Sequence, residues 1–215
     1  MMLKILSKTT RFIKRQVNQK AQRARLRTAQ GLHVNLCSGD VLLPGFCNVD
    51  VAQKSDLILD LETSLLPFAD NSCERVVCIS AINYFSRARG LQIIEDVRRV
   101  LKPGGVARFG TQDLRLIASK YVATDREFFF QKAADGRDRF EGETMGDKFN
   151  SWFYGYRVYG TKYCKYVYDY QTLENLFKKA GFSRVEQKKY RESKMADIAD
   201  IDNRPEQMFF LEAIK

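Results

Sequence analysis

The chain has 215 residues, 45% hydrophobic and 29% charged, with 36 Lys and Arg against 26 Asp and Glu. That length suits a single domain with one sizeable core, and no run approaches the roughly eighteen apolar residues of a membrane span. Nine of the basic residues and none of the acidic ones fall in residues 1–30, so the net charge of +10 belongs to an arm and the body from residue 31 is nearly neutral.

Within the arm, Met2, Ile5, Leu6, Thr9, Ile13 and Val17 recur at helical spacing, with Lys4, Lys8, Arg11 and Arg15 on another face. These charges interrupt the apolar stretch that a secretory signal peptide needs. The pattern predicts a basic amphipathic helix. Such a helix can make a peripheral contact with an anionic membrane, dock on an acidic surface, or pack on its own domain. An acid-free, Arg-rich start also fits a mitochondrial presequence. Phe12 is the only aromatic residue of the arm, which argues against nucleic acid as a partner. The five cysteines lack CxxC spacing and His33 is the only histidine. This excludes an ordinary zinc site, and it predicts reduced thiols and a cytoplasmic protein. His33, at the opening of a strand, is expected to be structural.

From residue 31 onward, short apolar runs alternate with helical stretches. Strands are predicted over 32–37, 46–51, 57–61, 75–80 and 105–111. Leu91, Ile94, Val97 and Leu101 form an apolar stripe that predicts a helix over 88–101. A helix over 170–180 should close at Gly181. Two strands, 184–190 and 207–214, follow, with a polar linker from Ser193 to Pro205 between them. Strands alternating with helices predict an α/β fold with a doubly wound, mostly parallel sheet. Residues 122–169 break the rhythm with thirteen aromatic side chains between Phe128 and Tyr168. They predict an aromatic-rich insertion that packs locally and also serves as a lid or acceptor pocket.

In such a sheet, ligands bind beyond the carboxyl ends of the strands at the switch point. The first strand ends in Asn35-Leu36-Cys37-Ser38-Gly39-Asp40, a small-residue turn. Asp50-Val51 closes the second, where a carboxylate can accept both hydroxyls of a ribose. Asp60-Leu61 closes the third, followed by Leu65-Leu66-Pro67-Phe68-Ala69-Asp70, where an acid and an apolar residue could hold an adenine. Ser80 to Asn83 closes the fourth. Arg99-Val100-Leu101-Lys102-Pro103-Gly104-Gly105 then reads as a helix stop and a turn.

In this order and spacing, and with Ala180-Gly181-Phe182, the series resembles class I S-adenosylmethionine-dependent methyltransferases. It looks closest to the small bacterial type 11 group, often linked to cell-surface polysaccharide pathways. The resemblance covers roughly residues 31–215. It implies a Rossmann-like, seven-stranded sheet with an antiparallel C-terminal strand, and S-adenosyl-L-methionine as cofactor. It also implies cofactor contacts at Leu36, Cys37, Ser38, Gly39, Asp50, Val51, Asp60, Leu61 and Ser80, with Ser80 beside the sulfonium. Cys37 stands where the family usually has Gly, so its loop is expected to sit further from the ligand or to keep φ negative. Ser80-Ala81-Ile82-Asn83-Tyr84 lacks the His and Glu of close relatives. Thr111-Gln112-Asp113-Leu114 lacks the Pro before Asp-Leu. Asp113 is the expected base and Asn83 the expected orienting group. A small molecule or glycan is the expected acceptor, with a sugar hydroxyl preferred. The alternative is a methyltransferase-fold protein without catalysis, a binding or scaffold protein docking through its arm.

Overall fold

The computed structural model describes residues 19–133, 136–154 and 163–215. One sheet of seven strands carries the fold, in the order β3-β2-β1-β4-β5-β7-β6. These are β1 Leu32–Leu36, β2 Cys47–Asp50, β3 Leu57–Ile58, β4 Cys73–Ile79, β5 Leu101–Gln112, β6 Arg184–Lys188 and β7 Met208–Ile214. The first five run parallel, and β7 is antiparallel to both β5 and β6. The strand order reverses between β1 and β4, with Val34 beside Cys47 on one side and beside Val76 on the other. That reversal is the switch point at which a crevice opens. Val34, Leu36, Val49, Val76 and Ala107 are fully buried in these central strands, as expected for a parallel sheet covered on both faces.

Helix α2 (Arg87–Val100) begins at Ser86, whose hydroxyl accepts from the Arg89 N–H, and buries Ile93, Ile94, Val97 and Val100. Gly90 lies on its packed face, where an added Cβ would sit 2.6 Å from the Tyr168 hydroxyl. Arg99, near the end of α2, donates to the carbonyls of Leu66 and Phe68 and to the carboxylates of Asp70 and Asp96. Asp96 in turn accepts from the Leu66 N–H. Two motifs far apart in sequence are thereby one fastening, and Asp70 serves it rather than an adenine. The Lys102–Gly105 turn is a bulge inside β5. Cys73 faces Leu101, Arg75 faces Val106, and Gly104 takes φ +75°.

Residues 19–26 are helical (α1), and they pack on the body. Leu26 is buried in the main core. Gln19 accepts from the Ile58 N–H and donates to the Asp56 carbonyl, and Arg23 donates to the Ile58 carbonyl. Two side chains one helical turn apart thus occupy the open edge of β3. Residues 1–18 of the amphipathic pattern lie outside the described residues. His33 is structural, as expected. Its ring nitrogens meet Glu74 and Arg75, and it stacks near Phe46.

The insertion holds α3 (Leu114–Val122), α4 (Arg126–Phe129) and α5 (Met145–Tyr154). Ile117, Phe129, Phe140 and Trp152 bury against one another as a core separate from the sheet. Helix α6 (Tyr170–Lys179) follows, capped by Asp169. The linker between β6 and β7 contains a short helix, α7 (Ile198–Ile201). It is pinned from below by Arg108 of β5. The guanidinium is fully buried and hydrogen-bonded to both oxygens of Asp202, at 3.1 and 2.5 Å, and lies 3.3 Å from Glu212. It also donates to the carbonyls of Lys189 and Glu192. A buried charge is tolerated when paired and hydrogen-bonded, and here the pairing fixes the linker over the strand ends.

Candidate functional site

A crevice of about 290 Å³ opens at the carboxyl ends of β1, β2 and β4, close to the lower end of ordinary ligand pockets, roughly 300–1,000 Å³. Its first wall is the turn after β1. A buried amide pair braces this turn: Asn35 donates to Asn48 and to the Val41 carbonyl, and Asn48 accepts from the Leu43 N–H. Neither Asn48 nor the bracing role of Asn35 is visible in local sequence. Cys37 takes φ +52° and Gly39 φ +51°. Of the two expected arrangements at Cys37, the negative φ is therefore excluded. A residue with a side chain occupies the left-handed region because the flanking bonds, Ser38 N–H to the Val49 carbonyl among them, fix the turn. The Cys37 thiol neighbours that of Cys78 on the adjacent strand β4. That contact, followed by burial, raises the Cys78 thiol well above its usual range.

Asp50 closes the second wall and ties it to the first. Its Oδ2 accepts from the Gly39 N–H at 3.0 Å and its Oδ1 from the Ala52 N–H at 2.8 Å. A carboxylate offers about four lone-pair sites, so two acceptor positions remain for hydroxyls. The Ser38 hydroxyl is buried and has no partner among the described residues. Asp60 and Leu61 lie just past β3 on the same rim, with Asp60 Oδ1 accepting from the Glu62 N–H.

The third wall is the end of β4. Ser80 takes φ +62°, its N–H bonds to the Gly110 carbonyl at 2.7 Å, and its hydroxyl accepts from Arg204 at 2.9 Å. Arg204 and Asn203, delivered by the pinned linker, complete the lining. The linker was expected to be a polar loop. Its contribution is invisible in the sequence because Ser80 and Arg204 stand 124 residues apart.

The structure thus gathers Cys37, Ser38, Gly39, Asp50, Val51, Asp60, Leu61 and Ser80 around one cavity. Leu36 is buried beneath it in β1. The two candidate catalytic residues are not among the lining side chains, and each has another task. Asp113 caps α3, its Oδ1 accepting from the N–H groups of Arg115 and Leu116, a role that Asp favours. Asn83 is fully buried. Its side-chain amide donates to the Cys164 sulfur and its backbone carbonyl accepts from the N–H groups of Lys165 and Tyr166, tying the returning insertion to the turn after β4. No described residue of 122–169 lines the crevice. Most of the described aromatic side chains there pair with one another, and Tyr156, Tyr159 and the Tyr154 side chain lie outside what the structure describes. Among the described residues no group of His, Cys, Asp and Glu could hold a metal ion.

Residues 47–109 match the family described as a methyltransferase domain. No curated protein matches the sequence. Among solved structures, an S-adenosylmethionine-dependent methyltransferase from Mesorhizobium loti is similar at 18% identity and a TM-score of 0.50. The match covers 91% of this chain and 96% of that one. A SAM-dependent methyltransferase from Archaeoglobus fulgidus is similar at 11% identity and a TM-score of 0.51, covering 92% and 94%. At such identities the likeness establishes the fold.

Proposed function

We propose that this chain is an S-adenosylmethionine-dependent methyltransferase, a reading that its matched domain and its sheet support, and that it methylates a small acceptor entering beside Ser80. The observation that carries the reading is the joined pair of walls. Asp50 holds the Gly39 turn through one hydrogen bond and keeps acceptor sites for ribose hydroxyls, while Ser38, whose buried hydroxyl has no partner among the described residues, lines the same cavity. These residues fit the cofactor: Asp50 would hold its ribose, Asp60 and Leu61 its adenine, and Cys37 to Gly39 its methionine end.

Bound S-adenosylmethionine supplies an activated methyl group on a sulfonium, so the protein's task is alignment. Holding two reactants in line can provide on the order of 7–11 kcal/mol. The β1 turn and the β4 end are suited to that task because the first is fixed by the buried Asn35–Asn48 pair and the second by the Ser80 N–H bond to the Gly110 carbonyl. The lining contributed by the β4 end and residues 201–204 contains neither a carboxylate nor a histidine. Alignment, rather than a side-chain base, is therefore the main source of rate in this reading. A sugar hydroxyl of a cell-surface polysaccharide or its precursor remains our preferred acceptor, on family resemblance.

Calorimetry of the full chain with S-adenosylmethionine and with NAD tests the reading. Micromolar binding of the first and none of the second is expected, and the reverse would sink it. We read the basic arm, residues 1–30, as a peripheral membrane contact, with each basic residue worth about 1 kcal/mol near an anionic surface. Full-length protein should pellet with phosphatidylserine vesicles at low salt. Failure to do so removes that part of the reading.

A further inference from the structure

The crevice carries acids on one side, Asp40, Asp50 and Asp60, and one cation, Arg204, on the other. Each acid has a local partner: Lys54 for Asp40, backbone N–H groups for Asp50 and Asp60. Among the described residues no carboxylate lies within ion-pair distance of Arg204, and its one side-chain hydrogen bond to them, from Nη1, goes to the Ser80 hydroxyl. A guanidinium has five N–H donors in a planar fork, so the edge not used by Ser80 is free to take two oxygens at once.

Three further features show that this placement is built. Arg204 takes φ +52° and its partner Ser80 φ +62°. Left-handed backbone at a residue with a side chain costs on the order of 1–3 kcal/mol, persists only where surrounding structure enforces it, and clusters at functional sites. The enforcement comes from Asp202, two residues earlier, locked onto the fully buried Arg108. Between them, Asn203 lines the crevice, and its side-chain oxygen is buried without a partner among the described residues. Strained backbone, a buried anchor and an unsatisfied acceptor thus converge on one arginine at the mouth.

We propose that Arg204 is the acceptor-binding residue and that the acceptor is an anion, carrying a carboxylate or a phosphate close to the hydroxyl or amine that is methylated. This rests on the methyltransferase reading above. The order of the walls favours the acceptor over the cofactor's own carboxylate. The ribose acid lies at β2 and the adenine rim at β3, on one side of β1. Arg204 descends from the β5 side onto the end of β4. An anion gripped there would lie beside Ser80, with its nucleophile turned into the crevice. Arg suits this task because its fork matches carboxylate and phosphate oxygens in pairs.

The test uses the full chain saturated with S-adenosylhomocysteine, titrated separately with inorganic phosphate and with acetate and followed by backbone amide NMR. Millimolar binding of at least one anion is expected, with shifts confined to Ser80, Asn203 and Arg204. Arg204→Gln should weaken it at least tenfold, and Arg204→Lys should recover part of it. S-adenosylhomocysteine affinity should change by less than threefold in both variants. If neither anion shifts these amides, or if Arg204→Gln leaves the shifts intact, the proposal falls. If Arg204→Gln weakens S-adenosylhomocysteine tenfold but leaves 5′-methylthioadenosine unchanged, Arg204 serves the cofactor carboxylate and the proposal is overturned. If the parent binds no S-adenosylhomocysteine, the methyltransferase reading itself fails and takes this one with it.

Discussion

Replacing Cys37 separately by Gly and by Ala measures the backbone strain that the crevice stores. At φ +52° a residue with a Cβ suffers a contact with its own carbonyl, worth about 1–2 kcal/mol. Glycine escapes it but gives up about 0.5–1 kcal/mol through the greater freedom of its unfolded chain. Both variants lose the thiol and its contact with Cys78, so those terms cancel in the comparison. Cys37→Gly should therefore be more stable than Cys37→Ala by roughly 0.5–1 kcal/mol, the difference of these two terms. For a domain of this size that is about 1–4 °C in melting temperature. At a position of negative φ the order would be reversed, so the sign alone decides. Urea unfolding of both variants, with the midpoint slope held common, is the assay. An alanine variant as stable as the glycine variant, or more so, would refute the left-handed geometry of this turn. Cofactor affinity should stay within a few-fold of the parent in both, since the sulfur is engaged by its neighbour rather than by the ligand.

Asp50→Asn should weaken S-adenosylmethionine binding about ten- to a hundredfold by calorimetry, because the uncharged amide has one oxygen for two backbone donors and no charge for a ribose. Arg108→Met should cost about 3–5 kcal/mol in urea, since it leaves Asp202 buried without its cation; a loss under about 1 kcal/mol would deny the pair its anchoring role. Burial pushes the Cys47 thiol up to about 12 and the Cys73 thiol up to about 11, so both stay protonated at pH 8. Half-buried Cys37 should then be the first cysteine to react with iodoacetamide, as mass spectrometry would show, and S-adenosylhomocysteine should slow it. Because these folded values lie above the ordinary thiol value of 9.0, the stability they contribute is full below that pH and is lost as pH rises towards 11–12. The urea midpoint should fall across that window, and less steeply in a Cys47→Ala, Cys73→Ala double variant.

The strand ends were legible because each closes an apolar run with a small or acidic residue, and Asp50 and Ser80 stand where that pattern put them. Helix α2 was legible from its stripe alone, within a residue at each end. Helix α7 was not, since four residues give no periodicity to read. Strand β3 has two paired residues, with Leu59 still bonded to the Asp50 carbonyl before Asp60 enters the rim. Asp113 illustrates a different failure. An Asp before an apolar helical run is a capping signal, yet the family signature Asp-Leu suggested chemistry, and the local rule describes its observed contacts. Arg204 and Asn203 were out of reach for a third reason. Their role depends on Arg108 holding Asp202, a contact spanning 94 residues, and no window of sequence contains both.

The two borders of the sheet are closed to visitors by different means. On the β6 side, Arg184, Glu186 and Lys188 alternate along the outermost strand as neighbouring ion pairs, and a foreign strand would have to bring backbone against that charged ladder. On the β3 side the strand is too short to bear such a ladder. There Gln19 mimics a peptide unit, its amide matching the donor and acceptor that another chain would offer. The helix that carries it is synthesised before the strand it shields. The border is therefore covered as soon as β3 emerges, long before β7 arrives to complete the other half of the sheet. A fragment cut at residue 31 would keep every strand and every crevice residue, yet would present a bare border to its neighbours at high concentration.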